Sequence, residues 1–590
     1  MHIVGRIKLP SSAEVSNLYL QCNENALIDF RPEVEEIVFR SGGMISTNTY
    51  FNSFYENFYA KYTNLQSLYY WLRLAGEFQI SVYRVDEQVR LISTEKVKSQ
   101  ATDFVKIKLP ELDHGRIYIE ISCVSEQGRF LEGLIATEQN PCQTVKLAII
   151  TCTYKKEEYI KKTIKTIVQD QLLLSKTWKV FVVDNGQTLT AADVADDRVE
   201  LITNRNVGGS GGFTRGLIEA LKGEYDHFLF MDDDIELESE SIYRLFGLYE
   251  YASADLAIAG SMLDLAKKHI LHEAGLFYSK NPENGEFKPF SITRLNHNLD
   301  LQDPANLNFS LSDDLDCGGF YFFAFSRKLV EEIGLPLPLF VKMDDLEFCL
   351  RIKNSSSKLV TFPSISVWHE TFFNKASLWD YYYYRNDLIA HAIHKPLKYI
   401  DAISYFTKQV LFSLLLFDYN HTEMLIKAFE DCIKGPNFLK SNVPEVLHQE
   451  VLALSKSHKT QSVRLNYSPS TEQEKTTASK LKKVISLLTL NGQLLPNFLT
   501  SDDDVFIWQT PDYAGQRSKA FAKKRVLIFK EENNCLFQNE VDKIAGIKLL
   551  TRWLKAITSS SVKWSSVCKE WKNASSELTS TVFWQQYLGL

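Results

Sequence analysis

The chain has 590 residues, too many for one hydrophobic core, so two to four domains are expected. At 45% hydrophobic and 24% charged residues it is globular and not disordered. A net charge of −7, from 66 basic and 73 acidic residues, supplies no bulk field for nucleic acid, so no nucleic-acid partner is expected.

Residues 1–144 carry short alternating stretches such as Phe78, Ile80, Val82 and Ile117, Ile119, Ile121, punctuated by Ser41-Gly42-Gly43 and Asp113-His114-Gly115. This pattern predicts an antiparallel β-sandwich with one or two helical turns. Aromatic residues crowd Tyr50–Trp71, where core or a domain interface outweighs a sugar-stacking face. The first residues, Met-His-Ile-Val-Gly-Arg, lack the charged and apolar segments of a signal peptide. Nine scattered cysteines, without zinc-like spacing, fit free thiols in a reducing compartment.

Residues 145–395 alternate apolar strands with helical stretches, which predicts a mostly parallel α/β sheet. Strands are expected at Val145–Thr151, Lys179–Asp184, Val199–Thr203 and His227–Met231, and helices at Glu158–Leu173 and Thr214–Leu221. Ligands of such sheets sit beyond the carboxyl ends of the strands. Thr151-Cys-Thr153 ends the first strand and suits a nucleotide base, while Asp184 ends the second and can accept from a uracil imide or a ribose hydroxyl. Asn206-Val-Gly-Gly-Ser-Gly-Gly-Phe-Thr-Arg215 opens a helix. Its glycines allow a diphosphate to approach the backbone, and Arg215 can reach a phosphate. It is neither a Walker A loop nor the spaced dinucleotide fingerprint.

The apolar run Phe228–Met231 then ends in Asp232, Asp233 and Asp234. Adjacent carboxylates repel one another unless a cation neutralises them, and Mg²⁺ or Mn²⁺ shared with a phosphate fits oxygen ligands. Met343-Asp344-Asp345-Leu-Glu347 reads either as a helix start favoured by the dipole or as the seat of a general base. His369, in Val367-Trp-His-Glu370, is a reasonable third metal ligand. Residues 396–590 read as mostly helical, with a charged Ser/Thr-rich stretch at Lys456–Lys482. The apolar stretch Val410–Phe417 is too short to span a bilayer.

The order of these segments, with Tyr381–Tyr384 before Arg385-Asn386, resembles glycosyltransferase family 2 with the GT-A fold. More narrowly, it resembles the polymerising galactofuranosyltransferases of mycobacterial cell-wall galactan and their bacterial relatives. The resemblance implies an α/β GT-A catalytic domain between an N-terminal β-sandwich and a helical C-terminal region. It implies that Asp232, Asp234 and His369 bind Mn²⁺ or Mg²⁺. Thr151, Thr153 and Asp184 then contact uridine, and Asn206, Gly209, Arg215 and Asp233 line the donor. Asp345 serves as base and Asp344 orients the acceptor. The implied reaction is an inverting, single-displacement transfer from a UDP-sugar, foremost UDP-galactofuranose, to a glycan or lipid-linked glycan. The implied place is the cytoplasm at the inner face of the cell membrane, with peripheral contact and room for a homo-oligomer. A dTDP-rhamnose transferase and a non-catalytic carbohydrate-binding scaffold stand as alternatives. Departures from the resemblance fall at Met343, at Cys317-Gly-Gly-Phe-Tyr-Phe322 and after His369, all on the acceptor side.

Overall fold

The computed structural model describes residues 1–30, 36–281, 283–309, 315–371, 378–458, 460–464, 480–508, 513–530 and 535–590. Most of the Ser/Thr-rich stretch and the residues just after Thr371 lie outside them. The chain forms two compact units, Met1–Pro336 with Asp345–Thr371, and Leu337–Asp344 with Phe372–Leu590.

The first unit begins with a ten-stranded antiparallel sheet built around its 17-residue strand Tyr69–Val85. Its first half pairs with Gln127–Thr137 and its second half with Arg116–Cys123. Gly76 sits at the change of partner with φ of +127°, and a Cβ there would stand 3.1 Å from the Gln127 carbonyl oxygen, so the bend is open only to glycine. The crowded aromatics are an interface: Tyr50, Phe51, Phe58 and Tyr62 are buried. Phe58 and Tyr62 pack on Phe362, Phe51 on Trp368, and Tyr50 shares a 2.7 Å hydrogen bond with Ser366. The sandwich is thereby fixed to the strand Lys358–His369, whose last residue is a predicted ligand.

The second sheet runs in the order Val199–Thr203, Thr177–Asp184, Lys146–Thr153, His227–Asp232, Phe322–Ser326, Leu256–Asp264, Ile270–Glu273. The first four strands are parallel. Phe322–Ser326 is antiparallel to both neighbours, and Leu256–Asp264 runs parallel to Lys358–His369. Two reversals restore direction, so Thr153, Asp184, Asp232 and His369 all end strands at one edge of the sheet.

The glycine-rich segment differs from its reading as a loop ahead of a helix at Thr214. The helix already starts at Gly208 and runs to Leu221. A methyl group on Gly212 would lie 2.0 Å from Cys152 Sγ, and one on Gly216 2.4 Å from Ile150 Cγ2. These two glycines let the helix lie against the first strand. Gly208 turns into the helix at φ +74°, and Gly209, with nothing within 4 Å of its Cβ position, belongs to the open end.

The second unit is built on helices Leu378–His394, Tyr399–Leu415, Tyr419–Ile433, Lys543–Ser560 and Trp564–Leu578, with Trp553, Trp571 and Trp584 fully buried. It also holds a four-stranded sheet of Thr460–Arg464, Cys535–Glu540, Lys523–Lys530 and Ser501–Trp508, which the helical expectation passed over. Val410–Phe417 faces inward, with Val410 and Leu414 at 0% exposure. Ahead of the acid pair, Phe340, Lys342 and Met343 all have φ between +64° and +73°. Each such non-glycine residue costs on the order of 1–3 kcal/mol and persists only where its surroundings impose it.

Candidate active site

The strand His227–Asp232 is apolar and fully buried until it reaches the edge, where Asp232 and Asp234 emerge partly exposed. His369 arrives on the strand Lys358–His369, held in register by Asp264. Its Nε2 lies 3.2 Å from Asp234 Oδ1 and 3.7 Å from Asp232 Oδ2. One ligand atom from each of the three falls within 4.8 Å of the others, a span that a single divalent ion can bridge. His369 Nδ1 donates to the Glu370 carbonyl at 2.5 Å, which turns Nε2 toward the carboxylates. Burial lowers the proton affinity of His369, but its bond to Asp234 and the Asp232 charge outweigh that and raise it. The donor set therefore fits a hard divalent cation.

Asp233 contributes no ligand atom to this cluster. Burial pushes its carboxyl up to about 7, with the charges of Asp234 and Asp232 adding. Thr153 is buried at the end of its strand, in register with Asp184. Thr151 is fully buried, registered between Val182 and Met231. Asp184 accepts from the backbone N–H of Gly186, Thr188 and Leu189 at 2.7–2.8 Å. It shapes the turn beyond its strand, where a uridine contact was expected. Asn206 Oδ1 accepts from Gly208 N–H at 3.2 Å and so holds the start of the glycine-rich helix. Arg215 lies 3.0 Å from Glu219 on its own helix.

Asp345 follows Asp344 at the start of the helix Asp344–Ile352. Its Oδ1 accepts from Leu346 N–H at 2.7 Å, which orients the carboxylate. The Asp345 charge is felt by Tyr321 and Cys317, whose proton affinities burial raises most. Tyr321 in turn lies 6.4 Å, ring to ring, from His369, and its carbonyl accepts from Asp232 N–H. Tyr321 therefore feels the Asp345 charge and bonds through its carbonyl to the strand end that carries Asp232.

Sequence reasoning missed three participants. Glu273 accepts from the Tyr321 hydroxyl at 3.4 Å and from Arg294 Nε at 2.7 Å. Its signal was a lone acid in the apolar strand Ile270–Glu273. Lys156, whose Nζ lies 3.8 Å from Asp234 Oδ2, directly follows the Thr-Cys-Thr-Tyr-Lys segment. Asn185 reaches the Gly208 carbonyl at 3.0 Å and accepts from Asn204 at 2.8 Å, tying two strand ends to the glycine-rich helix.

With this geometry in place, comparison with known proteins is informative. Residues 148–334 match the model of glycosyl transferase family 2, and residues 4–129 match the galactofuranosyltransferase 2 N-terminal model. The galactofuranosyltransferase GlfT2 of Mycobacterium tuberculosis is 27% identical over 480 residues, 75% of this chain and 75% of the relative. GlfT2 of Mycolicibacterium smegmatis is 27% identical over 478 residues, 75% of this chain and 73% of the relative. Among solved structures, mannosyltransferase PcManGT of Pyrobaculum calidifontis is 14% identical with a TM-score of 0.27, covering 54% of this chain and 84% of its own. Residues 1–349 of S. aureus TarS are 11% identical with a TM-score of 0.31, covering 52% of this chain and 87% of their own. Residues 148–334 form a glycosyl transferase family 2 domain; the chain has the GT-A fold with an added N-terminal domain and a largely helical C-terminal region, and is a glycosyltransferase.

Proposed function

We propose that the chain transfers galactofuranose from UDP-galactofuranose to a hydroxyl of a glycan or lipid-linked glycan, with inversion at the anomeric carbon. The convergence of Asp232, Asp234 and His369 at the strand edge carries this reading. The donor is inferred from the two GlfT2 relatives and from the match over residues 4–129. The three residues would hold Mn²⁺ or Mg²⁺, and that cation offsets the charge that gathers on the departing diphosphate. Gly209 leaves its backbone amide at the open helix end for the diphosphate. Asp345 takes the proton of the acceptor hydroxyl as its oxygen bonds to the anomeric carbon and the bond from that carbon to the diphosphate breaks. Tyr321, braced by Glu273 and Arg294, forms the polar wall between base and cation site. A single in-line step needs no covalent nucleophile.

The proposed setting is the cytoplasm, by peripheral contact with the inner face of the membrane. Among the described residues no helix is long and apolar enough to cross a membrane. The short helix Lys480–Leu488 exposes Leu481, Val484, Leu487 and Leu488 at 46–71% beside Lys482 and Lys483, a surface suited to anionic lipid. A donor panel tests the chemistry. UDP-galactofuranose should be consumed with a glycan acceptor far faster than UDP-galactopyranose or dTDP-rhamnose. Preferential use of dTDP-rhamnose would replace the donor, and use of none would remove the transfer reading.

A further inference from the structure

The acid pair is approached through an unusual stretch of backbone. Phe340, Lys342 and Met343, none of them glycine, hold φ of +73°, +66° and +64°. Backbone in this region relaxes unless neighbouring groups impose it. The imposing groups come from the helix Leu378–His394. The Asn386 side-chain amide, at 0% exposure, reaches three carbonyls of this one segment, Leu339 at 3.1 Å, Val341 at 2.9 Å and Lys342 at 2.8 Å. Arg385 donates from Nη2 to the Leu339 carbonyl at 2.8 Å and from Nε to Asn386 Oδ1 at 2.9 Å. That second bond fixes the amide so that its NH₂ faces the loop. Phe340 stacks on Tyr382, at 5.1 Å, and on His448, at 4.9 Å, two rings that also contact each other. The segment so pinned ends one residue before Asp344, which opens the helix carrying Asp345.

We infer that Asn386 is a positioning residue for catalysis, holding the strained segment Leu339–Met343 so that Asp344 and Asp345 start their helix in the orientation the reaction needs. Core packing alone asks for an apolar side chain at a fully buried site. A buried amide whose donors meet three carbonyls of one loop is specific to holding that loop. Arg385 serves as the brace of the amide. The inference rests on the reading of Asp345 as the base.

The test compares Asn386→Ala, the same variant carrying Lys342→Gly and Met343→Gly, and Asp345→Asn, each assayed for turnover and for UDP affinity in the presence of Mn²⁺. Asn386→Ala should lose turnover on the order of 10²-fold through misplacement of the base, with UDP affinity within about twofold of the parent. Glycines at 342 and 343 accept positive φ without a clamp, so the triple variant should regain at least about tenfold of that loss. A purely structural role predicts the opposite, since two glycines add flexibility to an already weakened loop. Parent-like turnover in Asn386→Ala, parallel loss of UDP affinity, or a further loss in the triple variant each overturns the inference. If Asn386→Ala does not fold, Asn386→Asp, which keeps the shape but removes the donors, is read by the same criteria, and failing that the triple variant, where turnover still lost overturns the inference. Full turnover in Asp345→Asn would refute the base assignment itself. Lost turnover in Asp345→Asn beside an unaffected Asn386→Ala would refute only the clamp.

Discussion

In the proposed reading the glycine-rich helix separates folding from donor binding within four residues, and paired alanine substitutions test that division. A methyl group on Gly212 meets Cys152 Sγ at 2.0 Å and Cys152 Cβ at 2.8 Å. Cys152 cannot retreat, because its strand is paired on both sides, to Val183 and to Asp232. Overpacking of this kind costs about 1–3 kcal/mol. The gain in helix propensity from glycine to alanine returns about 0.5–1 kcal/mol. Gly212→Ala should therefore lower stability by a net ~1–2 kcal/mol. Gly209→Ala has the same propensity gain with nothing within 4 Å to clash, so its stability should hold or rise by up to ~1 kcal/mol. Its methyl group stands where a diphosphate would approach the helix end, and UDP affinity should fall about tenfold, or ~1.4 kcal/mol. Urea denaturation read by tryptophan fluorescence, beside calorimetric titration with UDP and Mn²⁺, measures both quantities. Equal stability losses in the two variants, or a Gly212→Ala as stable as the parent, would refute the assignment of separate roles.

Three further outcomes follow from the geometry. Asp345→Asn should cost about 10²–10⁴-fold in turnover while UDP affinity barely changes, as steady-state rates and calorimetry will show; normal turnover in this variant with loss in Asp344→Asn would exchange their roles. Burial pushes the His391 imidazole down to about 4 from its usual 6.5. The unfolded chain then binds a proton that the folded one refuses, so this residue's contribution is intact above about pH 6.5 and shrinks as pH falls toward 4. At about pH 5 the loss is about 2 kcal/mol, measurable as a shift in urea midpoint that His391→Leu should abolish. Flotation with anionic liposomes at low salt should carry the parent chain upward, and replacing Leu481, Val484, Leu487 and Leu488 by serine should leave it at the bottom. A parent chain that stays at the bottom would remove the membrane reading.

The residues that were legible in the sequence are those whose chemistry conflicts with their surroundings. Three carboxylates ending an apolar strand, and a histidine ending another, have few structural explanations, and the fold brings Asp232, Asp234 and His369 together. The parallel strands were legible because both their faces are buried, giving unbroken apolar runs. Polar residues with a structural use looked the same as ligands. Asp184 carries the same carboxylate whether it meets uridine or three turn amides. Gly212 read as a phosphate glycine because composition does not show which neighbour a missing Cβ accommodates. The sheet of Ser501–Trp508 and Lys523–Lys530 was hidden among helices, since its short apolar runs match either period. Glu273 and Asn386 act through partners 48 and 44–47 positions away, a separation that no local pattern records.

The most direct test of the central claim is a calorimetric titration of UDP into the parent chain and into Asp234→Ala, each with Mn²⁺ and with EDTA. If Asp232, Asp234 and His369 hold a cation that receives the diphosphate, Mn²⁺ should tighten UDP binding to the parent at least about tenfold and do nothing for Asp234→Ala, whose melting temperature stays near that of the parent. UDP binding to the parent that is equally tight in EDTA, or an Asp234→Ala that responds to Mn²⁺ as the parent does, would contradict the account.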